Sequence, residues 1–182
     1  MAAILGMDVE TIKATCAEIA DGQVVEAVNF NEPKQTVIAG HKAAVERAAE
    51  ALKARGAKRA LLLPVSAPFH CSLMKPAAEK LKLRLAEIEI GAPRIAVLNN
   101  VDVATNDDPA AIRDALVRQA AAPVRWVETM QAMQNAGITH VAECGPGKVL
   151  AGLAKRCADG LTGLPMADRA GVDAGLAAIR GN

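Results

Sequence analysis

Residues 2–63 alternate between two hydrophobic periods, and the order of that alternation leaves few folds open. "AAIL", Ala2–Leu5, is a short apolar run closed by Gly6. Asp8 stands where a helix N-cap belongs, and Val9, Ile12, Cys16 and Ile19 recur at helical spacing, which predicts a helix over Val9–Ala20. Met7 and Ile12 are placed to clasp across that cap, and Gly22 stops the helix. Two β-branched runs, Val24–Phe30 and Thr36–Ala39, flank the turn-forming "NEPKQ". "HKAAVERAAEALKAR" puts Val45, Ala48 and Leu52 on one helix face and ends at Gly56, and Arg59–Leu63 is the next strand. The order is β-α-β-β-α-β, the split βαβ or ferredoxin-like unit. It closes on itself, so a first domain is expected over residues 1–66 and a second over 67–182.

The second part is helix-rich. Helices are predicted at about Leu73–Glu87, Asp108–Ala121, Val124–Ala136 and Val149–Ala158. Strands are predicted at Arg94–Leu98 and Thr139–Glu143, with another near Gly163–Met166, and "AGLAAIRGN" reads as a fraying tail. Two convincing strands make a poor sheet for so many helices, which points to missing sheet partners before residue 1. The chain is 52% hydrophobic but only 2% aromatic, with no Tyr, so Ala, Leu and Val must fill the core. That composition suits helices laid on a sheet, an α/β class. The net charge of +1 gives no electrostatic reason for a nucleic-acid partner, and no apolar run is long enough to cross a bilayer. Four cysteines in four different elements show no metal-ligand spacing and read as reduced thiols of a cytoplasmic protein.

The stretch "LPVSAPFHCSLMKPAAEKL", Leu63–Leu81, carries the chemistry. His70 follows a strand and a proline-stiffened loop and precedes a helix, where side chains reach a cleft. An imidazole there suits a general base, but it needs a nucleophile within reach and a third group to hold its tautomer. Cys71 is the adjacent nucleophile candidate, yet sequence neighbours generally point apart. Ser66 and Ser72 read as a loop hydroxyl and a helix cap, and His41 and His140 as structural residues. "ECGPGKVLAGL", Glu143–Leu153, lacks the first Gly and the final hydroxyl of a P-loop; Gly145 and Gly147 suit a tight turn and close helix packing instead. Gln119, Trp126, Asn29 and Asn31 are by default a solvated side chain, a core anchor, and turn or strand-end residues.

"VNFNEPKQTVIAGHKAAVERA", "LPVSAPFHCSLMKPAAEKL", "NNVD", "IRDALVRQAAAPVRW" and "ECGPGKVLAGLAKR" occur here in one order. Together they resemble the malonyl-CoA:acyl-carrier-protein transacylases of fatty-acid synthesis. The resemblance implies a hydrolase-like α/β core interrupted by a ferredoxin-like subdomain. This chain then holds the whole subdomain followed by the C-terminal half of the core. It also implies ping-pong acyl transfer without a cofactor. A serine in a Gly-His-Ser-Leu-Gly elbow takes malonyl from CoA and passes it to the phosphopantetheine thiol of acyl carrier protein. By the same resemblance His70 is the catalytic histidine, and Gln119 offers the backbone carbonyl that fixes its tautomer. Asn29 lies near the acyl site, and Phe69 is the variant associated with malonyl over methylmalonyl. Lys148, Lys155 and Arg156 are basic residues available to an acidic carrier, a family expectation.

The sequence departs from the family in one respect. Gly-His-Ser-Leu-Gly occurs nowhere in the 182 residues. The arginine that pairs with the malonyl carboxylate and the amides of the oxyanion hole are absent with it. The expectation is a C-terminal portion that lacks its nucleophile, is inactive alone, and either self-associates or needs an N-terminal complement. A non-catalytic module that binds a carrier protein or another partner is the alternative of a different class.

Overall fold

The computed structural model describes residues 1–181, and its elements follow the expected order at the N-terminus. Strand β1 (Ala2–Leu5), helix α1 (Val9–Ile19), strands β2 (Val25–Glu32) and β3 (Gln35–Gly40), helix α2 (Lys42–Ala54) and strand β4 (Arg59–Leu62) form the βαββαβ unit. Its four strands are antiparallel in the order β2-β3-β1-β4. Asp8 caps α1 by accepting a hydrogen bond from the Thr11 amide at 2.8 Å. Met7 and Ile12 are both buried in the core beneath that cap.

Alternation along the strands sorts side chains to two faces. Ala2, Ile4, Val25, Ala27 and Ile38 pack with Ile12, Cys16, Val45, Ala48 and Leu52 of the two helices. Ala3, Val28, Val37 and Ala39 line the opposite face, where Cys71 is fully buried against them. A bulge between Ala27 and Asn29 resets the alternation in β2, so that Phe30 joins the helix-side core. Both faces of this small sheet are therefore covered, the second by the segment that carries His70.

After a 3₁₀ turn (Ser72–Met74), α3 spans Lys75–Ala86; α4 spans Pro109–Gln119 and α5 Trp126–Asn135. A hairpin of β5 (Leu98–Asn99) and β6 (Ala104–Thr105) lies between α3 and α4 in the sequence. The strand expected over Arg94–Leu98 is not formed as such; only its last residue pairs, and it pairs with Thr105. Residues 94–97 have no strand beside them among the described residues, and Ile95 and Val97 are 81% and 61% exposed. Apolar residues with β propensity do not make a strand without a partner to complete the ladder.

The chain divides into two compact units, Met1–Trp126 and Val127–Asn182. Within the first unit β2 hydrogen-bonds Val124 and Glu26 hydrogen-bonds Ser72, tying the segments after residue 66 to the small sheet. In the second unit, β7 (His140–Cys144) and β8 (Thr162–Met166) are parallel and joined through α6 (Val149–Cys157). The expected tail is instead α7 (Arg169–Arg180); Asn182, at the end of that tail, lies outside the described residues. Asp168 caps α7 through the Gly171 amide at 2.8 Å, and Gly181 ends it in the left-handed conformation. No helix among the described residues is long and apolar enough to cross a membrane.

Leu52 is fully buried between α2 and the sheet. Leu52→Ala is expected to lower unfolding stability by about 2–5 kcal/mol, read from the midpoint of urea denaturation. A change well under 1 kcal/mol would mean that this helix–sheet core is not the one the chain depends on.

Candidate functional site

His70 sits on the short connection between β4 and the 3₁₀ turn, half-buried, with φ at +64°. A left-handed backbone is uncommon outside glycine, though His is among the residues enriched there. Its Nδ1 lies 3.4 Å from the backbone carbonyl oxygen of Gln119, the last residue of α4. A carbonyl oxygen can only accept, so the contact requires the proton on Nδ1 and leaves Nε2 as the basic nitrogen.

Two anchors hold the ends of this contact. On the His70 side, the Glu26 carboxylate accepts from the Ser72 amide at 3.0 Å and from the Ser72 hydroxyl at 2.6 Å. On the Gln119 side, the Phe30 amide donates to the Val124 carbonyl at 2.9 Å, and the Val124 amide donates to the Val28 carbonyl at 2.8 Å. Both anchors belong to β2. Arg118, beside Gln119, also grips Asp102 of the β5–β6 hairpin through two bonds of 2.6 and 2.8 Å. That pairing holds the Asp102 carboxyl below the usual carboxylate range, chiefly through the Arg118 hydrogen bonds. Gln119 borders a largely apolar cleft of about 310 Å³, shared with Ile90, Pro93, Val97, Leu98 and Leu116.

Of the four residues singled out in the sequence, the structure brings His70 and Gln119 together. Asn29 is a half-buried β2 residue bridged by its backbone to Val124, and no hydrogen bond links its amide to the His70 ring. Phe69 is exposed, one residue before His70. Ser72 opens the 3₁₀ turn, and its hydroxyl donates to Glu26 rather than capping a helix from within. Glu26 was not signalled by any motif; only a contact across forty-six positions reveals it.

Cys71 takes no part as a nucleophile in this geometry. Its thiol is fully buried and donates to the Pro68 carbonyl at 3.1 Å. Burial pushes its pKa up, and the nearby Glu26 carboxylate pushes the same way. His41 serves structure: its Nδ1 accepts the Val24 amide at 2.9 Å. His140 contacts the Thr139 hydroxyl through Nδ1 at 2.8 Å.

The strand–turn–helix at "ECGPGK" is closed by the chain itself. The Glu143 carboxylate accepts from the Ala151 amide at 2.8 Å, so a carboxylate already occupies the helix end that a phosphate would need. Gly145 and Gly147 have positive φ, as a tight turn requires. Close helix packing falls elsewhere, on Gly163, where a Cβ would lie 2.0 Å from the Ala151 carbonyl oxygen. Among the described residues no group of three or more His, Cys, Asp or Glu could hold a metal.

Thiol reactivity tests this reading of Cys71. In the native chain at neutral pH, iodoacetamide is expected to modify exposed Cys144 well before Cys71, with all four cysteines reacting in denaturant. Modification of Cys71 ahead of Cys144, located by peptide mapping, would restore it as a reactive thiol.

Comparison with known proteins gives this geometry a family. The chain is 56% identical over 176 residues to the malonyl CoA-acyl carrier protein transacylase of Salmonella typhimurium, a match covering 97% of this chain and 57% of that protein. Among solved structures, an acyl-carrier-protein S-malonyltransferase from Burkholderia pseudomallei superposes with a TM-score of 0.93 at 60% identity, covering 96% of this chain and 57% of that one. A malonyl-transacylase solved in complex with a type II polyketide acyl-carrier protein gives 0.94 at 50% identity, covering 100% of this chain and 58% of that one. The fold is accordingly α/β, a ferredoxin-like subdomain followed by the C-terminal part of a hydrolase-like core, and the chain spans little more than half the length of these relatives. The acyl transferase domain profile matches residues 3–171, and the chain belongs to that family.

Proposed function

We propose that this chain supplies the general-base portion of a cytoplasmic malonyl-CoA:acyl-carrier-protein transacylase. The observation that carries the reading is the contact between His70 Nδ1 and the Gln119 carbonyl, in a chain of the acyl transferase family. Its use of acyl carrier protein is supported by the structural relative solved with such a partner. In this reading residues 1–66 are the small subdomain and 67–182 belong to the α/β core.

His70 Nε2 takes the proton of a serine hydroxyl as the serine oxygen attacks the malonyl thioester carbonyl. The tetrahedral intermediate collapses by breaking the C–S bond, and the imidazolium returns its proton to the leaving CoA thiolate. In the second half-reaction His70 takes the proton of the phosphopantetheine thiol. The sulfur attacks the malonyl-serine ester, the bond from the carbonyl carbon to the serine oxygen breaks, and the proton goes back to that oxygen. The Gln119 carbonyl holds the imidazole through both halves without changing charge. Asn29 and Phe69 border the acyl group, with Phe69 favouring malonyl over its methyl-branched analogue. The 182 residues contain no Gly-His-Ser-Leu-Gly elbow, so the serine, the carboxylate-binding arginine and the oxyanion donors come from another segment. On its own the chain does not turn over.

Two measurements test this. Intact-mass spectrometry after incubation with malonyl-CoA is expected to show no malonyl adduct dependent on His70. Fusing or mixing in a family segment that bears the elbow is expected to restore malonyl transfer to acyl carrier protein. His70→Ala should then lower the restored rate by about 10²–10⁴-fold. Carrier binding without restored turnover would instead favour a non-catalytic module, and a single His70-dependent adduct on the chain alone would overturn the division of labour.

A further inference from the structure

We propose that Glu26 is a positioning residue for the His70 imidazole, an inference that deepens the general-base reading above and rests on it. Glu26 lies on β2, between Val25 and Ala27 of the helix-side core, while its carboxylate reaches the segment after His70. Its two oxygens take both donors that Ser72 offers: Oε2 accepts from the backbone amide at 3.0 Å and Oε1 from the hydroxyl at 2.6 Å. A paired grip of this kind fixes direction as well as distance, and a charged acceptor makes each bond stronger than a neutral one.

The register of that grip matters because of what lies on either side of it. Ser72 is two residues beyond His70, and Cys71 between them is fully buried against Val28, Val37 and Ala39. The backbone of residues 71–72 is thereby clamped to one sheet by packing and by hydrogen bonds. His70, with φ at +64°, takes up the remaining bend. The Gln119 carbonyl is placed from the same strand, through Val124 bonded to Val28 and Phe30. The Nδ1–carbonyl distance of 3.4 Å is near the outer limit of a hydrogen bond, so a small slip of the loop would lose it. Glu26 sets the loop end of that distance; it touches no reacting atom.

The tautomer of His70 is the quantity a merely structural role would leave alone. Long-range ¹H–¹⁵N spectra of the histidine-labelled 182-residue chain read it directly, with no dependence on turnover. The wild-type His70 is expected as the Nδ1–H tautomer. His41 is the internal control with the opposite tautomer, since its Nδ1 accepts the Val24 amide. Glu26→Ala is expected to remove more than half of the ¹⁵N shift difference between the two His70 nitrogens and to leave His41 unmoved. Glu26→Gln can still accept the Ser72 amide and can pair its own NH₂ with the hydroxyl oxygen, through weaker neutral bonds, and it is expected to keep most of the shift difference that Glu26→Ala loses. Should Glu26→Ala not fold, judged by His41, Ser72→Ala removes only the hydroxyl bond and should shift His70 in the same direction by less.

Three outcomes overturn the inference. A His70 tautomer unchanged in folded Glu26→Ala, or in Ser72→Ala where that variant must serve, removes the positioning role. Equal disturbance in Glu26→Gln and Glu26→Ala removes the paired hydrogen bonds to Ser72 as the means by which His70 is positioned. A wild-type His70 without a tautomer preference overturns the contact with Gln119 itself, and so the general-base reading, in a spectrum recorded before any variant is made.

Discussion

Strand β2 is the constraint on which the candidate site depends. One of its edges is paired with β3. Its other edge takes up Val124 through two backbone hydrogen bonds, and its Glu26 side chain takes up Ser72 through two more. The first pair fixes the segment that follows Gln119, and the second fixes the segment that follows His70. A contact between residues forty-nine positions apart is thereby reduced to a local matter of how two short segments leave one strand. Magnitudes favour this arrangement. Holding a non-glycine residue in the left-handed region costs about 1–3 kcal/mol. Hydrogen bonds to a charged acceptor contribute about 1.5–3 kcal/mol each, so the Glu26 pair can hold the bend at His70.

Most of the first sixty residues was legible from local signals, because each element there is closed by its own chemistry. Asp8 caps α1, Gly6 and Gly56 close their elements, and the two-period pattern separates strand from helix. The failures have physical causes. Arg94–Leu98 has the composition of a strand, but a strand exists only with a neighbour, and composition says nothing about neighbours. Helix α7 is readable in the sequence: Asp168 before it and Gly181 after it are ordinary cap residues, and Val172, Leu176 and Ile179 recur at helical spacing between them; "AGLAAIRGN" taken alone holds only two of those three and so reads as a tail. At the site, residue type alone pointed to a histidine without a partner. The identity of the partner as a carbonyl came only from the family resemblance, since every residue carries a carbonyl and none is marked by its side chain. Glu26 lay beyond both routes, an acidic residue in a strand with no motif around it.

The same physics separates His70 from Cys71. His70 is in a turn with a left-handed backbone while Cys71 is extended, and the two side chains part there, Cys71 into a sheet core and His70 toward the end of α4. Cys71 fills the core position, where burial removes the charged form that a nucleophile needs. His70 keeps its edge accessible because Cys71 does not. The pair is thus better understood as an anchor and the group it presents than as two competing nucleophiles.

It follows that the site is only as well ordered as the small sheet beneath it. The loop from Pro64 to Pro68 restricts the approach to His70, and its Pro68 carbonyl accepts the Cys71 thiol, but the tie to the sheet comes from β2, and β2 is held by the core shared with α1 and α2. A cavity made at Ile38 or Leu52, far from any reacting group, would loosen the strand and with it both anchors at once. Loss at Glu26 or Ser72 would instead release one anchor and spare the core. Stability and tautomer therefore separate the two kinds of damage: core lesions lower both together, whereas lesions in the Glu26–Ser72 grip disturb the imidazole out of proportion to their effect on folding.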